Sequence, residues 1–323
     1  MSPTTTPPRT IALARYRLTA RVLNALELPD FAGAMLRSVF GAALRNTTCT
    51  TQLPHCSGCP QASQCAYTHI FEAQPPANHS LQKFSNIPNA YVIEPPEPQA
   101  SLRYAPGEML QFGIVLTGEA LNQLPLVLYA WHQALQKGLT HTRSRAQLVG
   151  ADWIDAQGNA HPVWTNTNPN VVNAHAPVIS YPPPAPAALS ALKLHIHTPM
   201  RLQSQGQPLF VENLTPRIMV AALARRIALV MEFHARQTDW GDAVPDIVRL
   251  SEKLQDRRDL HWHDQKRYSS RQHQEMSLGG VLGHWTLLAD PATLQHLWPW
   301  LWLGQWLHIG KNATMGMGAY TLV

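Results

Sequence analysis

Residues 11–45 read IALARYRLTARVLNALELPDFAGAMLRSVFGAALR. In the first part, Ile11–Leu28, apolar residues alternate with basic and polar ones, which predicts a strand. Pro29-Asp30 predicts a helix start with Asp30 as the N-cap. The helix that follows, Phe31–Arg45, carries apolar residues at helical spacing. A strand that leads into such a helix opens the strand, helix, strand, strand, helix, strand order of a ferredoxin-like domain.

The remaining elements complete this order twice. In the first half we expect strands at Ala90–Glu94, Glu108–Thr117 and Arg145–Ile154, with a helix at Leu121–Lys137. In the second half we expect the following elements: a strand at Ala191–Arg201, a helix at Arg217–Arg236 capped by Thr215, a shorter helix near Asp246–Asp256, strands at Leu260–Tyr268 and Val281–Leu288, a helix at Pro291–Leu303 and a strand ending at Thr321–Val323. The predicted fold is α+β, with tandem ferredoxin-like (RRM-like) domains at 1–165 and 191–323, joined by a proline-rich connector at 166–190.

The composition bounds the class of protein. The chain has 323 residues, of which 45% are hydrophobic and 14% charged, and this balance excludes a disordered chain. No apolar run approaches the roughly 18–20 residues that a membrane span needs, and no signal-peptide pattern opens the sequence. We therefore expect a soluble cytoplasmic protein without a membrane partner. The net charge of +5 favours an anionic partner, and 16 histidines supply many candidate acids and bases.

All four cysteines lie in one window, Cys49, Cys56, Cys59 and Cys65. In a reducing compartment this spacing favours a closed, structural zinc site over disulfides. The window would be an insertion, residues 46–70, after the first helix. Two buried or redox-labile cysteine pairs are the alternative, and His55 or His69 can replace one thiolate as a ligand.

A stripe of four residues recurs along one side of the first helix: Gly33, Arg37, Gly41 and Arg45. Glycine costs a helix interior roughly 1 kcal/mol relative to alanine, so something must approach this side closely. Helix packing and an anion bound by the two arginines are equally compatible with the pattern.

Two further segments suit a phosphate or a nucleic-acid backbone. Gly310, Gly316 and Gly318 bracket Lys311 and Asn312, and such a loop lets backbone N–H groups approach a phosphate. The run Lys266-Arg267-Tyr268-Ser269-Ser270-Arg271 combines cations with an aromatic ring that can stack on a base. A glycine-rich hairpin turn and a solvated turn are the respective alternatives.

Several of these segments together resemble a known family. They are Leu36-Arg37 with Phe40-Gly41-Ala42-Ala43-Leu44-Arg45, Cys65-Ala66-Tyr67 with Phe71-Glu72, the run Arg267 to Gln272, Leu278-Gly279-Gly280, and His308-Ile309-Gly310-Lys311 with Gly316-Met317-Gly318. Their order along the chain is similar to that of the CRISPR-associated precursor-RNA-processing endoribonucleases of the RAMP superfamily.

The resemblance implies an endoribonuclease that binds CRISPR repeat RNA and cleaves precursor crRNA without a catalytic metal. The ribose 2′-hydroxyl would attack the adjacent phosphate, which requires a base, an acid and cations on the phosphoryl oxygens. The first helix contains no histidine, so His69 and His308 rank first as proton-transfer groups, with Lys311 as phosphate clamp. Tyr67 is a secondary donor, on the same side as His69 if the segment is extended. The predicted RNA-binding residues are Arg37, Arg45, Lys266, Arg267, Tyr268, Arg271, Lys311 and Asn312.

Two other functions are compatible with the sequence. A non-catalytic RNA-binding subunit of a CRISPR effector complex would share the fold and the basic surfaces, and effector subunits are also candidate partners of the enzyme. A zinc-stabilised DNA-binding protein would account for the cysteine window alone, but no recognition-helix arrangement supports it.

Overall fold

The computed structural model describes residues 11–73, 87–97, 102–175, 179–180, 182–187, 189–264, 266–269 and 274–323. For 11, 179–180, 266–269 and 274–277 the description covers the backbone alone. No helix within these ranges is long and apolar enough to cross a membrane.

The first half of the chain forms an antiparallel sheet covered on one face by two helices. Its elements are β1 Ile11–Val22, β2 Leu26–Glu27, α1 Gly33–Thr48, α2 Ala66–Ile70, β3 Tyr91–Glu94, β4 Arg103–Tyr104, β5 Met109–Thr117, α3 Leu124–Lys137, β6 Ala146–Ile154, β7 Ala160–Thr165 and β8 Ile179–Ser180. The strands are ordered β3-β5-β1-β6-β7, with β8 paired to β1. Tyr16, Leu18 and Ala20 on β1 are fully buried on the face that packs against α1 and α3.

The second half has its own antiparallel sheet. Its elements are β9 Ala191–Met200, β10 Gln203–Ser204, β11 Gln207–Pro208, α4 Pro216–Ala235, α5 Asp239–Ser251, β12 Gln255–His263, β13 Lys266–Ser269, β14 Gln274–Ser277, β15 Gly280–Leu288, α6 Pro291–Leu307 and β16 Tyr320–Leu322. The strand order is β12-β15-β9-β16. Leu194, Ile196 and Trp285 project from this sheet into a core shared with α4 and α6.

The predicted order of strand, helix, strand, strand, helix, strand is observed in both halves, through β1-α1-β3-β5-α3-β6 and β9-α4-β12-β15-α6-β16. In each sheet the first and third strands of this order lie side by side at the centre. The fourth strand pairs with the first, and the second strand pairs with the third. The two central strands therefore connect through a helix and a neighbouring strand, as a ferredoxin-like unit requires.

Several predicted boundaries differ from the observed ones. The expected N-cap Asp30 is wrong, because α1 starts at Gly33 and its N-cap residue, Ala32, has no side-chain acceptor. The predicted cap at Thr215 is confirmed, since its side chain accepts a hydrogen bond from the Ile218 N–H. The shorter helix lies earlier than predicted, at Asp239–Ser251, and the strand expected at Leu260–Tyr268 begins at Gln255. Strand β7 is an addition to the predicted order.

The two halves are packed against one another through the uncovered face of the first sheet. Leu13, Val92 and Val115 point away from α1 and α3 and are buried in the core of the second half. Arg15 lies beside them, and its guanidinium stacks over the Trp306 ring at 4.2 Å. This junction brings the start of α1 and the end of α6 into the same region.

Candidate nucleic-acid interface

The segment that follows α6, His308–Gly318, folds back on the end of β9, and we call it the glycine loop. The Lys311 N–H donates to the Arg201 carbonyl at 2.8 Å, and the Gly318 N–H donates to the Pro199 carbonyl at 3.0 Å. Inside the loop, the buried Thr198 hydroxyl donates to the Gly316 carbonyl at 2.7 Å. These contacts fix the loop on β9, with the Lys311 side chain exposed.

Five backbone amides of the glycine loop are committed to internal hydrogen bonds. The amides of Ile309, Lys311, Met315, Gly316 and Gly318 all donate to carbonyl oxygens of the protein. These five amides therefore do not contribute to the expected cradle of backbone N–H groups for a phosphate. The loop also presents the exposed Lys311 side chain, with Asn312 beside it.

The glycine loop forms one wall of a groove whose opposite wall is α4. The groove encloses about 640 Å³. The described residues that line it include five cationic side chains and no carboxylate; the cations are Arg201, Arg217, Arg225, Arg226 and Lys311. We call this feature the basic groove. The positive charge of the basic groove and its continuous lining suit the phosphodiester backbone of a nucleic acid.

The arginines of the basic groove differ in how they are held. Arg225 is exposed, and Arg217 is exposed while paired to Glu252 at 2.9 Å. Arg226 donates to the Leu307 carbonyl at 2.7 Å, and burial lowers the pKa of its guanidinium to about 10, so it stays charged at neutral pH. Arg201 donates to the Gly279 carbonyl at 2.7 Å. All four arginines are additions to the predicted RNA-binding set. The helical spacing of Arg217 and Arg225 after the Thr215 cap is the signal that identifies this face.

A second cavity of about 770 Å³ adjoins the basic groove along α4. Ile87 lines both spaces, and Pro88 and Asn89 form the groove side of the partition. On the cavity side His234 hydrogen-bonds the Pro88 carbonyl at 2.6 Å, and burial lowers the pKa of its imidazole. The rise of a helix places His234 about 13 Å along α4 from Arg225.

His69 lines this second cavity and is exposed. Its Nε2 lies 2.8 Å from the Ser63 carbonyl oxygen. Because a carbonyl oxygen only accepts hydrogen bonds, Nε2 must carry a proton. In the neutral ring Nδ1 is then the free base, which is the state that general-base catalysis needs.

Tyr67 and His69 would face the same side if their segment were extended, but the segment is helical and they face different sides. They lie on the short helix α2, where Tyr67 is buried and stacked on Phe71 with ring centroids 5.3 Å apart. Burial raises the pKa of the Tyr67 hydroxyl well above its ordinary value. The expectation of a shared surface is wrong because α2 turns the two residues apart.

His308 is the buried first residue of the glycine loop, with 1% of its surface exposed. Its Nε2 lies 3.6 Å from a Glu94 carboxylate oxygen, and the same oxygen accepts a hydrogen bond from Arg15 Nε at 3.0 Å. Burial lowers the pKa of the His308 imidazole despite the carboxylate. A ring in this position connects the loop to the first sheet but does not contact solvent. The catalytic role predicted for His308 stays a prediction, and in this structure its ring is buried.

The glycine and arginine stripe of α1 is used for packing. A Cβ on Gly33 would lie 1.8 Å from the Met315 carbonyl oxygen, and one on Gly41 would lie 2.2 Å from the Phe71 ring. Arg37 stacks over Phe71 at 4.4 Å, and Arg45 donates to the Leu53 and Pro54 carbonyls. Close packing accounts for the two glycines, whereas RNA binding by Arg37 and Arg45 stays a prediction.

Part of the predicted basic run lies on the hairpin of β13 and β14. Lys266, Arg267 and Tyr268 belong to β13, which pairs with β14. The structure describes their backbone alone, and Arg271 lies outside the described residues. Their role in RNA binding stays a prediction.

The four cysteines surround one small cavity of about 20 Å³ and carry no disulfide. Cys59 Sγ lies 3.5 Å from the Thr51 hydroxyl, and burial raises the pKa of the Cys56 thiol. Across the described ranges, no three His, Cys, Asp or Glu side chains are arranged to hold a metal ion. The predicted insertion thus gathers the thiols without a formed coordination shell.

Two family models match the chain and between them leave few residues unmatched. Residues 10–177 match the model AF_1859_N, described as an N-terminal domain, and residues 194–320 match the model described as CRISPR-associated endoribonuclease Cas6. No curated protein sequence matches the chain.

Solved structures share the fold at low sequence identity. A Cas6 product complex aligns over 97% of this chain and 99% of its own, with a TM-score of 0.58 and 13% identity. Thermus thermophilus Cas6 aligns over 98% and 100%, with a TM-score of 0.53 and 14% identity. A chain of a partial Cas6-RT-Cas1–Cas2 complex aligns over 98% of this chain and 47% of its own, with a TM-score of 0.57 and 14% identity. The chain thus combines an N-terminal half of the AF_1859_N type with a C-terminal half that belongs to the CRISPR-associated Cas6 endoribonuclease family.

Proposed function

We propose that this protein binds CRISPR repeat RNA in the basic groove and cleaves precursor crRNA to release guide RNA. The observation that carries the proposal is the groove itself, where the described lining residues present five cations and no carboxylate to one elongated space. Two ferredoxin-like domains would form the frame, because each half has the strand order of that unit. The family and the Cas6 complexes of the same fold support repeat RNA as the substrate.

The cleavage step would be attack of the ribose 2′-hydroxyl on the adjacent phosphate, without a catalytic metal. His69 is the proposed base, since its Nδ1 is free and its cavity adjoins the groove. Lys311 would neutralise the phosphoryl oxygens, and Asn312 would orient the backbone beside it. His308 would act indirectly by holding the glycine loop against Glu94.

We also propose that the cysteine window holds a structural zinc ion. Four thiols are the donor set of closed zinc sites, and here they line one small cavity. Cys49, Cys56, Cys59 and Cys65 would have to close on the ion, because they are not arranged around a common point. The ion would stabilise the insertion next to α2, which carries His69.

Incubation of the protein with its cognate repeat RNA in EDTA tests the cleavage proposal. Product fragments ending in a 2′,3′-cyclic phosphate and a 5′-hydroxyl support it. His69→Ala should lower the cleavage rate roughly 10²- to 10⁴-fold with little change in RNA affinity, as loss of a general base does. His141→Ala, at an exposed position between α3 and β6, is the matched control.

A non-catalytic RNA-binding subunit is the second candidate function, and the burial of His308, one of the two predicted proton-transfer histidines, favours it. Tight binding with intact RNA, in EDTA and with added Mg²⁺ alike, would establish it and overturn the nuclease. Cleavage that requires added Mg²⁺ would retain the nuclease and overturn the metal-independent step.

A further inference from the structure

An aromatic pair, Phe210 and Trp262, lies where the basic groove ends near β12, with the phenyl ring exposed and the indole half-buried. The rings of Phe210 and Trp262 are 4.3 Å apart between centroids, inclined at 46°. Phe210 is 44% exposed although it is a large apolar side chain. Within the ranges that the structure describes, the other exposed aromatic ring of this kind is Tyr129 on α3. A solvated phenyl ring on a folded surface loses hydrophobic stabilisation, so a partner that covers it gains that term.

The pair is held rigidly by contacts with its surroundings. The indole Nε1 of Trp262 donates to Asp264 at 2.8 Å, which fixes the plane of the ring. Behind Trp262 lies Gly279, where a Cβ would be 2.7 Å from the indole. The glycine therefore allows the indole to lie against the backbone. Arg258 donates to the Val211 carbonyl at 3.2 Å and so anchors the segment that carries Phe210.

The pair is continuous with the basic groove through two direct links. Gly279, which supports Trp262, accepts the hydrogen bond of the groove residue Arg201. Phe210 directly follows Leu209, which lines the groove and whose N–H donates to the Leu202 carbonyl at 2.9 Å. An RNA strand whose phosphates lie on Arg201 thus passes within reach of the exposed ring.

We infer that Phe210 and Trp262 form a stacking platform for one unpaired nucleobase of the RNA bound in the basic groove. This inference rests on the proposed function, because it takes the groove to hold RNA. Aromatic side chains beside a cationic track are how single-stranded nucleic acids are held without base-specific hydrogen bonds. The tilted pair supplies a face for an unpaired base, while a base within a duplex would already be stacked on both sides.

The test compares two 12-nucleotide probes that carry the same phosphates. One is oligoadenylate, and the other is the same ribose-phosphate chain without bases. Phe210→Ala should weaken binding of oligoadenylate by about 5- to 100-fold, the effect of losing one stacked base. It should leave the affinity for the abasic chain unchanged. Phe210→Tyr should restore oligoadenylate binding, and Tyr129→Ala is the control for removal of an exposed ring.

Equal oligoadenylate affinities for the wild type and Phe210→Ala would overturn the platform and leave the groove intact. An equal loss for both probes would also overturn it, because the effect would then not involve a base. If the wild type binds neither probe nor repeat RNA, the proposed function fails and the platform fails with it. If Arg225→Ala binds both probes as tightly as the wild type while Phe210→Ala loses oligoadenylate, the stacked strand lies outside the basic groove and the inference is overturned.

Discussion

The Cα of Gly33 lies so close to the Met315 carbonyl oxygen that a Cβ at residue 33 would be 1.8 Å from it. Gly33 starts α1 in the first half of the chain, and Met315 lies in the glycine loop at the other end. The contact therefore joins the first helix to the wall of the basic groove. Because both sides of the contact include backbone, no rotamer change can relieve a clash there.

Gly33→Ala should destabilise the protein and displace the glycine loop. We expect a loss of about 1–3 kcal/mol in the free energy of unfolding, the usual cost of overpacking a close contact. Urea denaturation measures it. Gly241→Ala is the matched control, since a Cβ there meets nothing within 4 Å. Because Gly241 lies within helix α5, this substitution should raise the free energy of unfolding by roughly 0.5–1 kcal/mol. A variant at position 33 as stable as the wild type would contradict the close packing.

Arg225→Ala should weaken RNA binding and flatten its dependence on salt. Removing one phosphate-binding cation lowers the slope of log K against log salt by about 0.7–0.9. Binding of repeat RNA at several KCl concentrations measures this slope. Arg249→Ala is the control, because Arg249 is an exposed arginine paired with Asp246 on α5 and does not line the groove. Identical slopes for the Arg225 variant and the wild type would place the RNA elsewhere.

The order of elements can be predicted from the sequence because strand and helix periods are local. The positions of Tyr67 and His69 cannot, since a five-residue helix leaves no detectable period. The burial of His308 is also invisible in the sequence, because it depends on tertiary contacts such as the one with Glu94, which is more than 200 residues earlier in the chain. The stripe of Gly33 and Gly41 can be seen in the sequence. Whether a packed residue or an anion faces these glycines is decided by tertiary contacts, which the sequence does not show.

Cys59→Ser should lower stability more than it changes the cleavage rate of the enzyme. Metal analysis of the wild type should find about one zinc ion per chain, and the variant should lose it. Thermal unfolding with and without a chelator measures the stabilisation. The control for Cys59→Ser is Ser57→Ala, a substitution at an exposed position in the same segment. A zinc-free protein whose melting temperature is unaffected by either substitution would overturn the site.

Stability should fall as the pH is lowered from neutrality, and His197 should be one cause. Burial lowers the pKa of its imidazole to about 4, and His308 and His195 act in the same direction, while Glu94 opposes them. An unfolded histidine titrates near 6.5, so between about pH 6.5 and 4 the unfolded chain binds a proton that the folded protein does not. The stabilisation from neutral His197 is complete above this window and is lost progressively within it.

Replacing His197 by glutamine should remove this contribution. One proton of difference corresponds to a slope of at most about 1.4 kcal/mol per pH unit, so the variant should show a shallower fall in unfolding free energy across the window. Urea denaturation at half-unit pH steps measures both curves, and His141→Gln, at an exposed position, should follow the wild type. Parallel curves for His197→Gln and the wild type would show that His197 is not held neutral in the folded protein.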